Sequence, residues 1–142
     1  MSEATTQRSA SMVAVVVIGL LGFINLARGS LHLFLADSGA GDIAGLDLSA
    51  GRAIIVSFLA AIGVGQLAMA MIDFTSVLRY RAFVRPLLLV HTLEAMGAVF
   101  VLFYWKPLPI AVPGQWGALI GLVVLSFVCV YEFSRGFGNA KA

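Results

Sequence analysis

The sequence predicts an all-α fold, a bundle of four transmembrane helices with both chain ends on the cytoplasmic side, and three observations predict it. Of 142 residues, 61% are hydrophobic and only 11% charged, under half the charge usual in a soluble domain, and the mean hydropathy is +1.01. The apolar residues also fall in blocks of about 20, the length that crosses ~30 Å of hydrocarbon at a helical rise of ~1.5 Å per residue. Finally, the basic residues flank those blocks unevenly, as the positive-inside rule requires of an oriented span.

The first span covers about residues 11–35 and is too long, and too poor in small-residue cleavage signals, for a signal peptide; it reads as a retained helix. Residues 36–49, rich in Gly, Asp and Ser, form an outer loop in which Asp47 or Ser49 can cap the next helix. The second span covers about 50–74, with Asp73 near its end, and a short loop carrying Arg79 and Arg81 follows. Arg85 and Pro86 open the third span, about 84–105, where proline's missing N–H costs little. Three prolines between Lys106 and Pro113 make a stiff, non-helical connection. The fourth span covers about 114–134. Arg8, Arg79, Arg81, Arg85, Arg135 and Lys141 then share the inner side against Arg52 and Lys106 outside, while Tyr104 and Trp105 mark the outer interface. Residues 1–142 read as one integral membrane domain.

Chemistry in such a chain sits with its intramembrane polar residues, which are costly in hydrocarbon. Asn25, Arg28 and His32 are spaced i, i+3, i+7 and share a helical face; His91 and Glu94 are again i, i+3. Gln66 lies two-thirds of the way along the second span. All are expected to face the bundle interior. Arg28 comes ~10 Å below the outer end of its helix and Glu94 ~16 Å below Trp105, so an Arg28–Glu94 pair is reasonable. His91 and Gln66 come out at similar depth and can share an inter-helix hydrogen bond. The cluster Asn25, Arg28, Gln66, His91 and Glu94 either clips helices together or lines a ligand or proton site.

Other chemistry is argued against. A bis-histidine haem needs both imidazoles at one level, whereas His32 and His91 differ by ~15 Å in depth; His32 reads as a solvated interfacial group. The single cysteine, Cys129, permits no intrachain disulfide. Glu and His do not occur in the duplicated order of di-iron bundles, and no metal set is expected. Asp37, Asp42 and Asp47 miss the EF-hand spacing and read as a solvated loop. Nine scattered basic residues make no nucleic-acid surface. For helix packing, Ala61-x-x-x-Gly65 and Gly117-x-x-x-Gly121 are small-x-x-x-small patterns that admit close contacts, within the chain or between copies.

Four short spans, an extended outer loop after the first, Ser49-Ala50-Gly51-Arg52-Ala53 with an arginine opening the second, and a polar stripe in the core together resemble the DoxX-like small bacterial membrane proteins. The resemblance covers most of the chain at the level of architecture. It implies a bacterial inner membrane and, for some members, an association with quinone-linked oxidation; it carries no active site onto a residue here. The leading expectation is a non-catalytic packing or accessory subunit of a homo-oligomer or larger membrane complex, with the lipid bilayer as its surroundings. The alternative is a binder of a quinone, lipid or other small amphiphile in the polar pocket, as a component of an oxidoreductase or alone. No cofactor is clearly implied, and an enzyme is not the leading expectation.

Overall fold

The computed structural model describes residues 9–137. Four long helices form: α1 (Met12–Phe34), α2 (Arg52–Leu78), α3 (Val84–Phe100) and α4 (Pro113–Phe137). A 3₁₀ turn, Arg81–Phe83, leads into α3, and a π-helical turn, Val101–Trp105, prolongs it. Each of the four rods is long and apolar enough to cross a membrane, and no strand occurs among the described residues. The expected all-α, four-span membrane architecture is therefore present.

Ser11 starts α1 by accepting the Ala14 N–H on its hydroxyl at 3.1 Å, which satisfies one of the first-turn donors left without a carbonyl. Gly51, at φ +76°, turns the chain into α2, a left-handed conformation that glycine adopts without steric cost. α2 runs four residues past its expected end at residue 74, to Leu78. The π turn closes with Lys106 N–H donating to Val101 O at 2.9 Å, and Gln115 of α4 donates its side-chain amide to Leu102 O at 3.1 Å. Pro113 itself begins α4, so the proline-rich connection ends one residue earlier than expected.

The chain enters α1 and leaves α4 on one side of the bundle, called here the terminal side; the other is the distal side. The buried core joins Ala14, Val15 and Ile18 of α1 to Val84, Leu87 and Leu88 of α3 and Leu125, Val128 and Cys129 of α4, all in the terminal half. Beyond Ile18, the buried residues of α1 are Gly22 and Gly29, and both face α2. The molecule is thus two helical hairpins, α1–α2 and α3–α4, packed together on the terminal side and less so on the distal side.

The backbones of α1 and α2 touch. A Cβ on Gly29 would stand 2.8 Å from Gly63 O, and one on Gly63 would stand 2.9 Å from Gly29 O, so neither position accepts a side chain. This seam differs from the expected ones. Gly65, Gly117 and Gly121 have nothing within 4 Å of an added Cβ, and Ala61 is exposed. At ~100° per residue, Ala61 and Gly65 lie almost opposite Gly63 on α2, so only one of these faces can meet α1.

Candidate functional site

The most buried ionisable cluster is built on Asp73. Its side chain is fully buried, between α1 and α3. Asp73 Oδ2 accepts from Asn25 Nδ2 at 3.2 Å, and Oδ1 lies 2.8 Å from His91 Nε2. The other ring nitrogen of His91, Nδ1, lies 3.4 Å from Glu94 Oε2. An imidazole between two carboxylates gives a line of three titratable groups from the buried Asp73 to Glu94, along which a proton can pass through the ring.

Glu94 ends that line in the open: its side chain is 66% exposed, about midway along the third span. Arg28 is exposed too. Its guanidinium Nη2 lies 3.7 Å from where a Cβ on Gly114 would stand, at the start of α4, and its charge reaches Glu94. The expected Arg28–Glu94 contact is not an ion pair, since the ion partner of Glu94 is His91. Neither side chain is enclosed as expected.

Of the residues expected to cluster, Asn25, His91 and Glu94 meet through Asp73. Gln66 does not join them: its Oε1 is buried without a hydrogen-bond partner, and His91 bonds Asp73 in place of Gln66. The cause is the length of α2. With the helix ending at Leu78, Gln66 lies ~18 Å from the terminal end and His91 only ~10 Å from the start of α3, whereas Asp73 moves inward to the level of His91. An acid one residue from a supposed helix end looks like an interfacial group; the signal that could have found it was the pair of apolar residues Val77 and Leu78 beyond it.

A second buried acid, Glu132, is 1% exposed and was not singled out from the sequence. Its carboxylate accepts the Ser11 N–H at 3.1 and 3.2 Å and pairs with Arg85 Nε at 2.8 Å; Arg135 Nη1 approaches at 4.0 Å. A negative charge at the start of α1 also meets the positive end of the helix dipole. Applying the cost of an intramembrane charge to Glu132 would have marked it.

The distal loop between α1 and α2 is folded rather than solvated. Asp37 is buried and accepts the backbone N–H groups of Gly39, Gly41 and Asp42, each at 2.8 Å. His32 Nδ1 donates to Ser38 O at 2.7 Å, since a carbonyl only accepts, so this histidine clasps the loop instead of standing free in solvent. Ser38 sits at φ +55°, unusual for a residue with a side chain, and its hydroxyl donates to Val56 O at 3.2 Å. Among the described residues no group of three or more His, Cys, Asp and Glu side chains is placed to hold a metal ion. No protein-family model, curated protein or solved structure matches this chain.

Proposed function

We propose that this membrane protein binds a small amphiphile of the quinone or lipid class in the opening between α1 and the α3–α4 hairpin, its polar head against Arg28 and Glu94. One observation carries the reading: Glu94 is 66% exposed midway along a spanning helix, with Arg28 exposed on the neighbouring hairpin. An ionised side chain at mid-bilayer costs ~2.5–3.5 kcal/mol even by insertion measurements. A headgroup in the opening would supply the partner that the helices do not. Arg28 offers a planar fork of donors to a carbonyl or anionic oxygen, and the Glu94–His91–Asp73 line takes up or returns a proton at the bound head.

The test is native mass spectrometry of protein purified in mild detergent. Wild type is expected to retain a molecule of fixed mass, and Arg28→Leu to retain about tenfold less, the worth of a hydrogen bond to a charged group. Equal ligand content in the two proteins would refute the binder.

The packing or accessory subunit expected first from the sequence is favoured by a different observation, the open space outside Gly65, Gly117 and Gly121, where a helix of another chain could approach closely. The same spectrum counts copies and partners. We further infer a bacterial inner membrane, as the DoxX-like resemblance implies, with both termini cytoplasmic, as the uneven basic residues favour. Arg79, Arg81, Arg85 and Arg135 lie on the terminal side, and Arg52 and Lys106 on the distal side; Arg8 and Lys141 lie outside the described residues.

A further inference from the structure

The turn between α2 and α3 joins two features of opposite character. Beside it a shallow groove runs along the two helices, lined by Met71, Ile72, Thr75, Ser76, Phe83 and Leu87, and its lining is almost wholly apolar. At its terminal end stand Arg79 and Arg81, both exposed. The main chain holds the basic turn against the groove: the N–H groups of Arg79 and Tyr80 both donate to the carbonyl of Thr75, a lining residue, at 2.9 and 3.2 Å. The side chains continue the link. The Arg79 guanidinium lies 5.6 Å from the centroid of the Tyr80 ring, and that ring meets Phe83 edge-on at 6.5 Å, Phe83 being a wall of the groove.

Neither arginine has an acidic partner among the described residues. Among the described residues of this end of α3 and α4, the carboxylate is Glu132, which is engaged by Ser11, Arg85 and Arg135. Meanwhile Met71 and Phe83 leave 71% and 60% of their surfaces uncovered. An occupant that complements both features carries negative charge at one end and a hydrocarbon chain at the other.

We propose that this groove and turn form a binding site for one anionic phospholipid, its phosphate on Arg79 and Arg81 and an acyl chain along Ile72, Thr75, Phe83 and Leu87. A bare phosphate would satisfy the arginines and leave the groove uncovered; a neutral lipid would do the reverse. The site lies on the terminal side of the α2–α3 hairpin and shares no residue with the opening at Arg28 and Glu94, so either can fail without the other.

The experiment uses the full chain, delipidated in mild detergent and titrated in native mass spectrometry with dioleoyl phosphatidylglycerol, dioleoyl phosphatidylcholine and glycerol phosphate. One phosphatidylglycerol is expected to bind in preference to phosphatidylcholine, with glycerol phosphate not retained. Arg79→Gln and Arg81→Gln should each weaken phosphatidylglycerol about fivefold, the worth of one basic residue near an anionic lipid. Ile72→Trp, a lipid-facing change that fills the groove without touching the charges, should weaken it as well, and Arg52→Gln on the distal side should not. Equal retention of the two lipids, capture of glycerol phosphate alone, undiminished binding in the double arginine variant, an equal loss in Arg52→Gln, or a second copy of the chain seated in place of lipid would each overturn the proposal.

Discussion

Asp37 organises the distal loop between α1 and α2 through three backbone N–H bonds, and those bonds hold its carboxyl below the ordinary value of 3.8, the Asp42 amide contributing most and Gly39 next. The sign follows from linkage: a group whose folded pKa is depressed stabilises the fold above its unfolded pKa and loses that contribution as pH falls through the folded value. Hydrogen-exchange protection at Gly39, Gly41 and Asp42 should therefore be full near neutral pH and decline below 3.8. Asp37→Asn should lower protection at neutral pH and remove the pH dependence. Protection that stays level into strong acid in the wild type would contradict this role. Nothing in the spacing of Asp37, Asp42 and Asp47 distinguishes the first from the others, because which carboxylate turns inward depends on a left-handed Ser38 and Gly39. Asn25, His91 and Glu94 were legible as intramembrane polar residues. Their common partner Asp73 was not, since its depth depends on where α2 stops.

At the scale of the element, the seam between α1 and α2 sets Gly29 against Gly63 and, seven residues earlier on α1, Gly22 against the side chains of Asp73 and Phe74. Gly63→Leu must push a Cβ toward the Gly29 carbonyl, and overpacking of this kind costs ~1–3 kcal/mol. Thermal unfolding in detergent should show a clear fall in Tm for Gly63→Leu. Gly117→Leu, whose Cβ meets nothing within 4 Å, should stay within about 0.5 kcal/mol of wild type. Equal falls for both would show that the seam is misplaced, whereas loss of an oligomer in Gly117→Leu alone would support the packing role of that face. A chain with fifteen glycines contains small-x-x-x-small patterns on several faces, and periodicity alone does not say which of them a neighbouring helix occupies.

For the whole molecule, the terminal side is where the hairpins are joined, and Glu132 is one polar part of that joint beside the Asp73–His91 contact, linking the start of α1, Arg85 on α3 and its own helix α4. Breaking a buried pair by removing one partner costs ~3–5 kcal/mol. Because Arg85 is 23% exposed and can turn to solvent, Glu132→Ala should fall at the lower end of that range. Unfolding monitored separately on each hairpin should lose its coincidence in this variant, the α1–α2 pair being held by its own glycine seam. A single coincident transition of unchanged midpoint would mean that the apolar core of Ile18, Leu88 and Leu125 and the Asp73–His91 contact join the hairpins without Glu132.

The sequence by itself determined that this is a membrane protein of four helices, and it set their boundaries to within a few residues. Hydrocarbon imposes one length and one composition on any helix that crosses it, and both are properties of contiguous residues. The tertiary structure alone decided which polar residues meet. Asp73 joins Asn25 and His91, Glu132 joins Ser11 and Arg85, and Gln66 stands aside, because contacts between helices depend on rotation and register. A one-residue shift turns a helix by ~100° and moves it ~1.5 Å, so small differences in where the spans begin and how they pack decide which side chains come within hydrogen-bond reach.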